Sequence, residues 1–86
     1  MPRTKVSNEA ALRQVVSDDG RRVCSIIKAA DSLFRFVEDT EVYEADDPPP
    51  FWHWIETHRS GIYETIEKAE VEALNTLPWL RAQITR

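Results

Sequence analysis

His53, Glu56 and His58 come nearest to a metal site, with two imidazoles and a carboxylate close together in the chain. Zinc accepts such donors, but only when they converge on one point. Along an extended strand His53 points to one side, and Glu56 and His58 to the other; on a helix a spacing of five is equally poor. No metal and no cofactor are therefore expected. Cys24, close to Arg22, could be a reactive thiol, yet a single cysteine among valine and isoleucine ordinarily acts as a small buried hydrophobe. Glu56 with Glu64 could make an acid–base pair, but any chain with fifteen acids offers such pairs. With glycine only at positions 20 and 61, neither a phosphate-cradling loop nor a nucleophile elbow can be built. The chain is expected not to be an enzyme and to have no catalytic residues.

Recognition is the remaining chemistry, and charge and aromatic residues bear on it. Fifteen acids against eleven bases give a net charge of −4, which disfavours a nonspecific phosphate-binding surface. Acid is concentrated in Glu38, Asp39, Glu41, Glu44, Asp46 and Asp47. This segment reads either as a solvated strand end and loop or as a docking surface for a basic partner. Trp52, Trp54 and Trp79 are a heavy aromatic load for 86 residues. They belong either to the core or to an interface, where tryptophan is enriched.

Several elements must position these residues. Asp19-Gly20 between Val15-Val16 and Val23-Cys24 is a hairpin signal, pairing Val16 with Val23, Gln14 with Ser25 and Leu12 with Ile27. Asp31-Ser32 gives a second turn, pairing Ala29 with Phe34 and Ile27 with Phe36. Strands are predicted over about 11–17, 21–30 and 33–43. The first competes with a helical preference from Glu9 to Gln14, for which Asn8 would be the N-cap. The prolines at 48–50 cannot donate to a ladder and read as a stiff exposed connection. A fourth strand follows from Phe51 to Thr57, with Trp52 and Trp54 on one side and Phe51, His53 and Ile55 on the other. Thr65 as N-cap and Pro78 as stop delimit a helix whose stripe is Ile66, Ala69, Ala73, Leu74 and Leu77. Trp79 and Leu80 then fold back onto the sheet or the helix end.

The expected fold class is α+β, a three- to four-stranded antiparallel meander with one C-terminal helix packed on one face. Residues 9–80 form a single domain, and 1–8 and 81–86 are frayed ends. The two registers place Leu12, Val16, Val23, Ile27, Ala29, Phe34 and Phe36 on the core face. The opposite face carries Val15, Cys24, Ile26, Leu33 and Val37 among Arg13, Arg22, Lys28 and Arg35. It is too apolar for water alone, so it calls for cover by either chain end or by a second subunit. Val15, Arg22, Ile26, Leu33, Arg35 and Val37 are therefore the candidate interaction face, and the acid run is the candidate docking segment.

From Ser60 the chain reads Ser-Gly-Ile-Tyr-Glu-Thr-Ile-Glu-Lys-Ala-Glu-Val-Glu-Ala and closes on Leu-Pro-Trp-Leu at 77–80. With the Asp-Gly hairpin and the Phe-Arg-Phe strand, this resembles a group of short uncharacterised bacterial proteins. Their pattern is a meander, a Gly-x-Tyr-x-Ser/Thr turn, an Ala/Glu-rich helix and a Pro-Trp-Leu ending. The resemblance covers roughly residues 11–80 and implies a fold and a bacterial cytosolic origin, but no activity. The strand-strand-strand-helix order also resembles plant-type and integrase-arm DNA-binding domains, from which the acid-rich third strand departs.

The resulting expectation is a small protein-interaction or regulatory module, with an unidentified protein or a second copy of the chain as partner. The alternatives are a nucleic-acid-binding domain using Arg13, Arg22, Lys28 and Arg35, and an acidic inhibitor of a basic partner. With no apolar run resembling a secretory signal or a membrane span, the expected location is cytoplasmic, without membrane partners.

Overall fold

The computed structural model describes residues 11–46 and 49–85. Along the chain come β1 (Ala11–Val16), β2 (Arg22–Ala30), β3 (Leu33–Glu44), β4 (Phe51–Arg59), α1 (Ile66–Thr76) and α2 (Pro78–Ile84). The strands form one antiparallel sheet in the order β1-β2-β3-β4, so the class is α+β. The N-terminal fraying expected over 1–8 lies outside the described residues, as do Asp47 and Pro48. Pro49 and Pro50 are exposed.

Local chemistry explains the first turn. The Gly20 N–H donates to the Ser17 carbonyl at 2.9 Å, and Gly20 has φ 74°, a conformation that costs glycine nothing. The Asp19 carboxylate accepts from the Ser17 hydroxyl at 2.6 Å and the Arg21 N–H at 2.9 Å. Those two bonds, the hydroxyl's first, hold its pKa below the ordinary value. Val16 pairs with Val23 and Gln14 with Ser25, the predicted register. Leu12 is a bulge residue, so Ala11 rather than Leu12 stands opposite Ile27, and Leu12 is exposed.

The second hairpin corrects the predicted faces. Ala30 pairs with Leu33 around the Asp31-Ser32 turn, but the register then shifts, with Lys28 opposite Phe34 and Ile26 opposite Phe36. Ala29 is the extra residue. Because strand side chains alternate, one inserted residue sends everything beyond it to the other face. Phe34 and Phe36 therefore share a face with Cys24 and Ile26, not with Val23 and Ile27. Phe36 is 1% exposed and joins Cys24, Ile26, Ala69, Ala73, Leu77 and Leu80 in one buried cluster. Val23, Ile27 and Val37 are buried too, on the other face. β2 is thus buried without interruption from Val23 to Ile27.

The Thr65 hydroxyl caps α1, accepting from the Lys68 N–H at 3.1 Å. Ala69 and Ala73 bring the α1 backbone close to Phe36, since neither has a side chain beyond Cβ. Pro78 stops α1 but also starts a second helix, because a proline at the first helical position loses no intrahelical donor. The single helix expected is therefore two, and the stretch from Arg81 expected as a frayed end continues helical to Ile84. Leu80 is buried, and the Trp79 indole N–H donates to Glu38 at 2.6 Å. Gln83 closes part of the β1 edge: its amide nitrogen donates to the Val16 carbonyl at 2.9 Å, and its oxygen accepts from the Asp18 N–H at 3.0 Å. Unpaired edge groups invite pairing with another chain, and this amide occupies one of them and a neighbouring N–H of the turn.

Phe36→Ala is expected to cost about 3–5 kcal/mol, because a large cavity would open between sheet and α1. Denaturant unfolding measures it; a loss below about 1 kcal/mol would show that Phe36 is not the centre of this core.

Candidate interaction surface

The residues that could do chemistry are held apart. Thr57 is a bulge in β4, so His58 shares the face of His53 while Glu56 points to the other side. This corrects the predicted alternation, which put His58 with Glu56. Their partners Glu38 and Val42 are four positions apart on β3, which still separates the imidazoles by about 13 Å. His58 stacks on Phe36 at 5.3 Å, and Glu56 is bound by Arg59 at 2.6 Å. Glu64 is engaged by Lys68 at 3.2 Å. No group of three His, Cys, Asp or Glu able to hold a metal occurs among the described residues. Cys24 is buried, and burial first, then the charges of Glu38 and Glu70, pushes its thiol up to about 12. A protonated thiol is not a nucleophile at neutral pH. Beside it Val15, Ile26, Ala73, Leu74 and Leu80 line a cleft of about 70 Å³, with the Arg13–Glu70 ion pair at its rim. Small-molecule sites run to roughly 300–1,000 Å³, so this is a packing gap.

The acid run does not form one surface. Glu38 accepts from Trp79 and from the Thr57 hydroxyl, both at 2.6 Å, and so ties α2 to the sheet. Asp39 and Glu41 are buried on the opposite face, and neither lacks a partner. Glu44 lies beside His53, Asp46 is exposed, and Asp47 falls outside the described residues.

The candidate interaction face is divided as well. Val15, Arg22 and Ile26 lie on the helix-bearing side, where Ile26 is 4% exposed beneath the helices. Leu33, Arg35 and Val37 lie on the other side, with Val37 buried. The same slip separates the basic set: Arg13, Arg22 and Lys28 share the helix side and Arg35 does not. The Ala29 bulge is the reason in both cases. Ile26 needs no second subunit to cover it, because its own chain does so.

A different surface is presented further along the sheet. Arg22, the first residue of β2, pairs with Thr40, and the Glu41 N–H donates to the Arg21 carbonyl at 2.7 Å. Beyond that point Val42, Tyr43 and Glu44 pair with His53, Trp52 and Phe51, and β2 no longer accompanies them. The β3–β4 hairpin thus overhangs as a two-stranded arm. It carries aromatic side chains on both faces, with Tyr43 53% and Phe51 44% exposed, and at its base Ile55 is 40% exposed. Tyr43 leans on Trp52 with centroids 5.2 Å apart, and the Arg21 guanidinium sits 4.4 Å above the Trp52 ring. On the other face Phe51 meets His53 at 5.1 Å, and His53 Nε2 lies 3.8 Å from the Glu44 carboxylate. His53 Nε2 and Trp54 Nε1 are both shielded from solvent without a hydrogen-bond partner. Of the exposed apolar side chains, Tyr43 lies on one face of the hairpin and Phe51 and Ile55 on the other.

The sequence did assign Trp52 and Trp54 to one side of β4 and Phe51, His53 and Ile55 to the other. It missed the overhang. The signal was present in the run Phe51–Ile55, aromatic or aliphatic at every position but His53, and in a third strand that outlasts the second. Comparison with family models, with curated proteins and with solved structures gives no match.

For Cys24 the folded pKa is raised from 9.0 to about 12. Its contribution to stability is complete below pH 9 and is lost as pH rises toward 12, because the unfolded thiol ionises there and the native one does not. Stability should therefore fall less steeply over that range in Cys24→Ala than in the wild type. At pH 8 the native thiol should also resist an alkylating reagent that modifies the unfolded chain; equal rates in both states would contradict the burial.

Proposed function

We propose that this chain is a cytoplasmic protein-interaction module without catalysis, and that its contact surface is the β3–β4 arm. The observation that carries this reading is the exposure of Tyr43 and Phe51 on a hairpin that extends past the end of β2, with Ile55 exposed at its base. In this reading α1 and α2 act as scaffold, covering one face of the β1–β2–β3 part of the sheet so that the arm stands on a rigid base. Aromatic side chains suit the purpose, since they offer large contact area with few rotatable bonds and dominate binding energy at interfaces. Recognition through a basic sheet face is less favoured, because the register divides Arg13, Arg22 and Lys28 from Arg35. Recognition through the acid run is also less favoured, because Glu38, Asp39 and Glu41 are engaged within the fold. No helix among the described residues is long and apolar enough to cross a membrane.

The test compares the wild type with Phe51→Ser/Ile55→Ser as bait in cytosol, with recovered proteins quantified by mass spectrometry. Both substitutions lie away from the helix-covered core, so near-UV signals from the native fold should persist. Proteins held by the arm should fall by about tenfold or more in the variant, as expected when interface anchors are removed. Identical recoveries from both baits would contradict the reading.

A further inference from the structure

We propose that the helix-side face of the arm binds a second copy of this chain, face to face about a two-fold axis. This deepens the reading of the arm as a contact surface and rests on it. The registers arrange that face in three rows. At the base lie Arg22, Thr40 and Ile55; in the middle, Val42 and His53; at the tip, Glu44 and Phe51. Successive rows are about 6.6 Å apart, two residues of rise along a strand.

Now place a two-fold axis through the middle row, in the plane between two such faces and perpendicular to the strands. The operation exchanges base and tip but leaves the lateral order of strands unchanged. Phe51 of one copy then meets Ile55 of the other, since both belong to β4, and Val42 and His53 meet their own counterparts. Arg22, exposed at the β2 position, comes next to Glu44 at the adjoining β3 position, one strand spacing of about 4.8 Å aside. Both ends of the patch are satisfied by the same rule, apolar on apolar and cation beside carboxylate. An isologous contact requires this self-complementarity, because the same surface must serve as both halves. Had Arg22 and Glu44 carried the same charge, or had Phe51 faced a charged side chain at position 55, the operation would fail. The patch involves few side chains on each copy. It therefore falls below the roughly 1,200–2,000 Å² of a stable interface, and a weak, concentration-dependent dimer is expected.

Sedimentation over a wide range of protein concentration tests this on the full chain. The wild type should self-associate. Arg22→Glu and Glu44→Arg should each weaken association by about tenfold or more, and the Arg22→Glu/Glu44→Arg double variant should recover most of it. Near-UV spectra and unfolding midpoints guard against misfolding, and the recovery in the double variant could not come from two damaged folds. A wild type that stays monomeric throughout overturns the proposal, as does association indifferent to both single charge reversals. If the monomeric wild type still captures cytosolic proteins in an arm-dependent way, the self-contact is refuted while the arm remains a binding surface. If Phe51→Ser/Ile55→Ser changes neither association nor capture, both readings fall.

Discussion

The pairing of Ile26 with Phe36 decides which side chains α1 and α2 can cover. It exists because β2 accommodates one residue, Ala29, that has no counterpart on β3. Without that bulge Phe36 would stand opposite Ile27 and share a face with Val23, and the helices would meet a different set of side chains. With it, Cys24, Ile26, Phe34 and Phe36 form the floor on which Ala69, Ala73, Leu77 and Leu80 rest. A strand has only two faces, so a register has only two outcomes, and a single inserted residue selects between them. Glu38 follows from the same choice: it arrives on the helix side, where Trp79 and Thr57 both bind it.

The helical layer is short, and that limits what it can protect. Eleven residues of α1 and seven of α2 cover one face of the β1–β2–β3 part of the sheet, α2 reaching Val16 and Asp18 beside the first turn through Gln83. The far ends of β3 and β4 have neither helix above them. Two strands without a covering layer are marginal in water, so the arm must draw stability from its own side chains. Tyr43 on Trp52, Arg21 over Trp52 and Phe51 on His53 supply those contacts. In the proposed reading, the aromatic residues that let a bare hairpin persist also supply its contact surface.

Much of this architecture was legible in the residues. Asp19-Gly20 and Asp31-Ser32 mark both turns because few residues tolerate the backbone a tight turn demands. Thr65, the apolar stripe from Ile66 to Leu77 and Pro78 delimit α1 for equally local reasons. What could not be read were the bulges at Leu12, Ala29 and Thr57, each of which relocates side chains without altering strand identity. A bulge is selected by tertiary packing, by what the helices need beneath them, and leaves little local signature in residues such as Ala29. The interaction face inferred from an unbulged ladder therefore mixed the two sides of the sheet. The continuation of helix beyond Pro78 has a related origin: a proline that ends one helix is equally suited to open the next, and only the burial of Leu80 decides that it does.

Cross-strand nuclear Overhauser effects test the register most directly. Antiparallel partners bring their backbone protons close, and each pair is specific to one register. The structure predicts signals linking Ile26 with Phe36 and Lys28 with Phe34, together with contacts from the Phe36 ring to the Ala69 and Ala73 methyl groups. Signals linking Ile27 with Phe36 and Ala29 with Phe34 would place Phe36 on the other side of the sheet and contradict the account of both the core and the arm.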